Sequence, residues 1–196
     1  MVRFHFCLFI FFLERMIILD FNQLNQALQI WADERGLNEK EGKPNVQYTK
    51  ILEEIGELST ALNKHWQEEL LDSIGDVQVT ILIYAYQTGI KLNHLNIITT
   101  PYQKDPHKLL RELISELARL NELERLIKLG NNEEIATALF ERKDVIICCL
   151  EIVADFAKAT GTDSLTCLNQ AYNVIANRKG KTVNGTFIKE EDLERA

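Results

Sequence analysis

Acidic side chains are concentrated in two neighbouring segments of the chain, at spacings that place them on helix faces. Glu54 and Glu57 stand three residues apart in ILEEIGEL, and Asp72 and Asp76 stand four apart in LLDSIGDV. Residues three or four apart are neighbours on an α-helix. Glu54 and Glu57 therefore lie together, on one flank of the apolar stripe of their helix. A hard cation such as Mg²⁺ takes oxygen ligands and is typically shared with substrate phosphates. We therefore predict a Mg²⁺ site at these four residues, with Mn²⁺ as an alternative ion.

The apolar sequence that follows Asp76 is unusual next to a cluster of acids on a protein surface. The run VQVTILIYA has little polar surface, so this part of the helix is expected to be buried, with Asp76 at the edge of the core. Gly75 would let another backbone approach closely. Carboxylates entering a core are costly unless positive charge neutralises them, and the nearby Lys50 and Lys64 are too few for several acids. The alternative is that both segments are acidic helices with ordinary solvated faces.

The elements that must position these residues are helices. Apolar residues recur at helical spacing along nearly the whole chain, and strand signals are scarce. The predicted fold class is therefore all-α, a bundle of about six helices, with residues 16–190 as one domain and 191–196 as an acidic tail. Glycine, proline and N-cap signals set the helix ends. The predicted ranges are 21–35, 46–64, 67–88, 106–129, 132–160 and about 164–179.

The two halves of the chain share a faint likeness. ILEEIGELSTAL in the second predicted helix is similar to LLRELISELARL in the fourth, and TGIKLNHL is similar to TGTDSLTCL. We interpret residues 96–162 as a helical insertion or as a second, degenerate copy of a two-helix hairpin. The alternative is a chance likeness between amphipathic helices of one acidic protein.

Composition narrows the classes of function. The 196 residues carry a net charge of -7, which argues against nucleic-acid binding. After the first segment, no apolar run has the length of a membrane-spanning helix. The four cysteines make no metal-binding motif and indicate free thiols in a reducing, cytoplasmic compartment. The apolar leader at residues 1–15 has three interpretations: a start codon assigned upstream of Met16, a buried or partner-facing segment, or a membrane signal.

Several motifs together resemble the MazG-like family of all-α nucleoside triphosphate pyrophosphohydrolases, especially small phage and prophage members from Gram-positive bacteria. They are QIWADERGL, KILEEIGELSTALNK, DSIGDV and CLNQAYNVIANRKGKTVNGTFIKE, and they cover about residues 20–95 and 163–190. The resemblance implies Mg²⁺-dependent hydrolysis of a nucleoside or deoxynucleoside triphosphate to the monophosphate and pyrophosphate, as nucleotide-pool house-cleaning. It also implies a homo-oligomer, either a dimer or a tetramer.

The family's metal motif, E-x-x-E followed by E-x-x-D, can be carried over in part. Glu54 and Glu57 match the first pair and Asp76 matches the final acid, but Ser73 stands where the third acid is expected. Asp72 or Glu69 could substitute for that acid, or the serine hydroxyl could hold a metal-bound water.

The second half offers only an incomplete counterpart of this motif. Glu141 and Asp144 have the E-x-x-D spacing, but Glu112 and Glu116 are four apart. We therefore expect one working site, with the second half as a scaffold and Glu141 and Asp144 on a solvated face.

The resemblance also implies roles for residues around the metal. Glu53 is the candidate that takes the proton of the attacking water. Basic side chains should contact the phosphates, and Trp31 could stack on the base. For the basic residues near the end of the last helix the alternative is helix capping, and for Trp31 it is a place in the core. The basic candidates are Lys50, Arg178, Lys179 and Lys181.

Two other classes of function compete with the enzyme. One is a catalytically weak or inactive helical protein that binds a nucleotide or a protein partner, which Ser73 and the degenerate second half favour. The other is an interaction module that uses the apolar leader.

Overall fold

The computed structural model describes residues 19–38, 42–99 and 105–195, so the predicted leader at 1–15 lies outside the described residues. The described residues form six α-helices, which confirms the all-α prediction, and one small hairpin of strands. The helices are α1 (Phe21–Glu34), α2 (Pro44–Lys64), α3 (Gln67–Gln87), α4 (Pro106–Leu129), α5 (Asn132–Ala159) and α6 (Ser164–Ala176). Strands β1 (Gly180–Val183) and β2 (Thr186–Lys189) follow, and a 3₁₀ helix occupies Glu190–Arg195.

Side-chain caps explain why the predicted helix ends agree with the structure to within two residues at most ends. Asp20 forms a capping box with Gln23 at the start of α1, and Asn131 forms one with Glu134 at the start of α5. Asp163 accepts a hydrogen bond of 2.8 Å from the backbone N–H of Thr166 at the start of α6. Each cap satisfies backbone donors that the first turn leaves free.

Helix α3 is the centre of the bundle. It packs along α2 and α6 and also contacts α5 and α1, and it is buried over most of its circumference. Helices α2 and α3 form one hairpin through a tight turn in which His65 adopts a left-handed φ of 56°. Helices α4 and α5 form the other hairpin. The buried side-chain amide of Gln47 connects α2 to α3, because it donates a hydrogen bond of 3.1 Å to the Thr80 carbonyl oxygen.

Gly75 sets the distance between α3 and α6. A Cβ at this position would lie 2.5 Å from the Cys167 carbonyl oxygen and 2.7 Å from the Ala171 Cβ. The predicted close approach of another backbone at Gly75 is therefore confirmed. This contact brings α6 close to α3 beside Asp76.

The segment after α6 is where the sequence prediction was incomplete. No strand was predicted here, but Gly180–Val183 and Thr186–Lys189 pair as an antiparallel hairpin, with Val183 opposite Thr186. The two turn residues, Asn184 and Gly185, have φ values of 54° and 91°. This is the conformation that Asn-Gly favours in two-residue hairpin turns, so TVNGTF was a readable strand signal.

Polar contacts attach the second hairpin of helices to the first. The Tyr84 hydroxyl donates to Glu124 Oε1 at 2.7 Å, and Arg142 Nη1 donates to the same oxygen at 3.0 Å. Arg142 Nη2 donates to the Thr88 carbonyl oxygen at 2.8 Å, and Tyr48 donates to the Leu117 carbonyl oxygen at 2.7 Å. Helices α4 and α5 therefore support the outer ends of α2 and α3.

We predict that Gly75→Ala destabilises the protein by about 1–3 kcal/mol, the usual cost of overpacking, because its methyl group would collide with the α6 backbone. The matched control is Gly56→Ala in α2, where a Cβ meets no atom within 4 Å. That change should stabilise the helix by about 0.5–1 kcal/mol. Urea unfolding of the three proteins measures both effects, and equal stability of wild type and Gly75→Ala would contradict the close α3–α6 contact.

Candidate functional site

A cleft of about 410 Å³ lies between the facing sides of α2 and α3, the end of α6 and the hairpin. Glu53 and the four predicted metal-binding acids line it, and among the described residues three cations line it as well. The acids are Glu53, Glu54, Glu57, Asp72 and Asp76, and the cations are Lys50, Arg178 and Lys189. Formal charges of -5 and +3 leave this cleft at -2 when all eight groups are ionised. The cleft therefore has the negative charge that would attract a cation.

Helix geometry explains why α3 presents its acids here. Asp72, Asp76, Val79 and Ile83 recur at spacings of three or four and all line the cleft, because such residues share a helix face. The first two lie in the N-terminal half of the helix, and the apolar pair continues the same face toward its C-terminal end. Acidic and apolar parts of the cleft wall thus come from one helix.

Glu54 is the most buried acid of the site. Its exposure is only 6%, and its carboxylate pairs with Lys50 Nζ at 2.9 Å. Burial nevertheless raises the pKa of Glu54, and the attraction of Lys50 offsets only part of that effect. The ion pair with Lys50 is the compensation that a buried carboxylate requires.

Among the acids of the cleft, Asp76 has the most strongly shifted pKa. Burial, and next the carboxylates of Glu54 and Asp72, raise its pKa to about 7, against an ordinary value of 3.8, while Arg178 acts in the opposite direction. Burial and neighbouring like charges both disfavour the ionised form. A bound cation would favour the ionised form and so offset both effects. The electrostatics and the oxygen donors of the cleft therefore fit Mg²⁺.

The carboxylates are not already arranged as a cage of ligands. Within the part of the chain that the structure describes, no three acidic, His or Cys side chains are close enough to hold a metal ion. Lys50 also lies 2.8 Å from Glu53 and so binds two of the acids at once. Metal binding would therefore require carboxylate side chains to turn toward a common point and away from Lys50.

Asp72, rather than Ser73 or Glu69, is brought to the cleft as the neighbour of Asp76. Asp72 lines the cleft, whereas the cleft lining includes neither of the other two. Ser73 is 6% exposed and faces the interior, and Glu69 is exposed outside the cleft. Position 73 does not line the cleft, so the serine there does not reduce the number of carboxylates in the lining.

The remaining predicted residues divide into two groups. Arg178 lines the cleft, but Lys179 and Lys181 do not. Lys181 instead borders a separate surface cleft with Arg35, because β1 carries it to the other side of the hairpin. Trp31 lines the cleft but is only 7% exposed, and its indole N–H donates to the Ile175 carbonyl oxygen at 2.9 Å, which favours its alternative as a core residue.

Sequence reasoning missed the contribution of the hairpin. Thr186, Phe187 and Lys189 of β2 line the cleft. The Asn-Gly turn signal could have revealed the two strands, but nothing in their sequence indicates which helix they pack against.

Arg35 holds this hairpin in place. Its Nη2 donates to the carbonyl oxygens of Ala176 and Arg178 at 3.3 and 3.2 Å. Its guanidinium carbon lies 4.7 Å from the ring centroid of Trp31 and 5.9 Å from that of Phe187. The Thr182 hydroxyl donates to the Arg35 carbonyl oxygen. The C-cap residue of α1 therefore fixes the chain between α6 and β1.

The acids of the second half lie on the surface of α4 and α5, as expected. Glu141 pairs with Arg119 at 2.8 Å, and Asp144 is exposed. Glu116 lies 3.8 Å from the same arginine. Glu116 and Glu141 therefore pair with Arg119, and none of these acids lines the cleft.

The fold and the cleft define an all-α bundle with an acidic site between two antiparallel helices. Over 71 residues the chain is 38% identical to a protein described as an uncharacterized 18.2 kDa protein in the rep-hol intergenic region of Haemophilus phage HP1. This stretch is 36% of the chain and 43% of the phage protein, so the match spans less than half of that relative. No family model and no solved structure matches the chain.

No helix in the described ranges has the length and apolar character needed to cross a membrane.

We predict that Asp76→Asn changes how stability depends on pH in metal-free buffer. Because folding raises the pKa of Asp76 to about 7 from 3.8, the folded state holds this proton more tightly. The wild type should therefore lose stability as pH rises from about 4 to 7, and the variant should lose less. At pH 7.5 the variant should be more stable by about 1–2 kcal/mol, after allowance for solvent screening.

Chemical denaturation at several pH values with a chelator present measures this difference. Glu69→Gln, which removes an exposed carboxylate of the same helix outside the cleft, is the matched control. Identical pH profiles for wild type and Asp76→Asn would show that Asp76 is well solvated.

Proposed function

We propose that the acidic cleft is the active site of a Mg²⁺-dependent nucleoside triphosphate pyrophosphohydrolase. The observation that carries the proposal is the presence in one cleft of carboxylates from α2 and α3 together with Arg178 and Lys189 from the C-terminal part of the fold. A triphosphate requires cationic partners, and its hydrolysis requires a divalent cation held by oxygen ligands. The resemblance of the helix motifs to the MazG-like family supports the same reaction.

The residues of the cleft suit separate tasks in this reaction. Glu54, Glu57, Asp72 and Asp76 would hold Mg²⁺, which when bound neutralises phosphate charge and makes an attacking water more acidic. Glu53 is exposed at the rim and would accept the proton of that water.

Lys50 is the residue that must change partners. It pairs with Glu53 and Glu54 at 2.8 and 2.9 Å. When a cation takes over the neutralisation of Glu54, the lysine becomes available for a phosphate oxygen. Lys50 and Arg178 would then contact the phosphates.

A nucleotide-binding protein without turnover is the second candidate. Ser73 in place of the family's third acid favours it. The same cleft would then bind the triphosphate and its cation without activating a water. Binding without pyrophosphate release would distinguish this candidate from the enzyme.

The proposal includes a cytoplasmic homo-oligomer, either a dimer or a tetramer. Exposed apolar side chains on α4 and α5 support self-association, with Leu129 at 75% and Phe140 at 76% exposure. The described cysteines Cys148, Cys149 and Cys167 are free thiols, which supports a reducing compartment.

The first test is pyrophosphate release from a panel of nucleoside and deoxynucleoside triphosphates, with Mg²⁺ and with a chelator. We expect Mg²⁺-dependent turnover by the wild type. Asp76→Ala should lower it by at least about 10- to 100-fold, the loss typical of residues that only orient metal ligands. Folded wild-type protein that binds a nonhydrolysable triphosphate but releases no pyrophosphate would support the second candidate. A lack of both would contradict both.

We also predict that Asp72, and not Ser73, completes the metal site. Asp72→Asn should raise the Mg²⁺ concentration for half-maximal activity by about tenfold or more, because it removes an oxygen donor from the cleft. Ser73→Ala, a small change at the adjacent buried position, should leave that concentration unchanged. Mg²⁺ titrations of turnover measure both variants, and the opposite pattern would restore Ser73 to the site.

A further inference from the structure

Strand β2 places an aromatic ring and a positive charge side by side in the cleft. Phe187 and Lys189 are two residues apart and both line the cleft. Alternate residues of a strand point to the same face, and their Cα atoms lie about 7 Å apart. The strand therefore offers an apolar contact and a cationic contact at separate positions along one edge.

The ring of Phe187 is held from behind. It packs edge-on against Trp31, with ring centroids 5.4 Å apart and an interplanar angle of 62°. On β1, Gly180 leaves room for it, because a Cβ there would lie 2.6 Å from Phe187 Cζ. Phe187 remains only half-buried, so a well-fixed ring keeps surface open to the cleft. Trp31, which was the sequence candidate for stacking, serves as its support.

Lys189 differs from the other lysine of the cleft. Lys50 is engaged by two carboxylates, whereas Lys189 is exposed at the end of β2 and makes no salt bridge with another described residue. A triphosphate entering a cleft of five acids needs cationic partners besides the metal. Lys189 is placed to provide one without first breaking an ion pair.

We propose that β2 is the nucleotide-recognition element of the cleft, with Phe187 stacking on the base and Lys189 contacting the phosphates. The inference rests on the proposed function, because it assumes that the ligand is a nucleoside triphosphate. Every base has a π-face, so stacking on an aromatic side chain tolerates different bases. Phe187 should therefore contribute similarly to purine and pyrimidine nucleotides.

Binding measurements on the full chain with Mg²⁺ test this inference independently of catalysis. The probes are α,β-imido analogues of dATP and dUTP, and inorganic tripolyphosphate, which has no base. We expect Phe187→Leu to weaken both nucleotide analogues about tenfold and to leave tripolyphosphate unchanged. Lys189→Gln should weaken all three probes about tenfold.

Two controls accompany these variants. Phe187→Leu keeps an apolar side chain against Trp31, and its unchanged tripolyphosphate affinity would show that the cleft is intact. Lys143→Gln removes an exposed positive charge on α5, far along the chain from the hairpin, and should bind every probe as the wild type does.

The outcomes separate this inference from the proposed function. The expected pattern without any pyrophosphate release would support nucleotide recognition by β2 and contradict the enzyme. Turnover and nucleotide binding that Phe187→Leu and Lys189→Gln leave unchanged would overturn this inference and keep the enzyme. Equal loss of nucleotide and tripolyphosphate in Phe187→Leu would overturn the base contact, and a wild type that binds none of the probes would overturn both.

Discussion

The burial of α3 is the constraint on which the rest of the structure depends. All five of the other described helices contact it, so most of its circumference is apolar and its backbone must fit closely against α6 at Gly75. Beyond the exposed first turn of its N-terminal half, one edge of the helix remains open to the cleft, and Asp72 and Asp76 occupy it. Their carboxylates are consequently held at the boundary between core and solvent, where a negative charge is poorly solvated and strongly affected by its neighbours.

That boundary position makes charge balance the central property of the cleft. Lys50 neutralises Glu54 directly, while Asp76 has Arg178 only as a more distant partner and its pKa rises to about 7. The excess of acids over cations would be a defect in a purely structural interface, because buried unpaired charge is costly. This excess becomes useful where a divalent cation and a polyanionic ligand bind together. The divalent cation neutralises the acids of the cleft, and the ligand pairs with its positive side chains.

Two supporting units hold the elements that form this cleft. Arg35 connects α1 to the chain after α6 through backbone hydrogen bonds and contacts with two aromatic rings, and so places β2 beside the acids. Helices α4 and α5 make no part of the cleft lining. Instead, Glu124 and Arg142 hold the far end of α3 through Tyr84 and the Thr88 carbonyl, which gives the second half a supporting role.

The sequence by itself determined the six helices, their ends and the four metal-binding candidates of α2 and α3, because caps, glycines and apolar periodicity are local signals. It also indicated that Gly75 sits under another backbone. Only the tertiary structure decided that Asp72 lines the cleft while Ser73 does not, since adjacent residues differ by about 100° around a helix. The place of Lys189 and Phe187 beside acids more than a hundred residues away was likewise decided by packing, because long-range contacts such as those of Arg35 leave no local pattern to read.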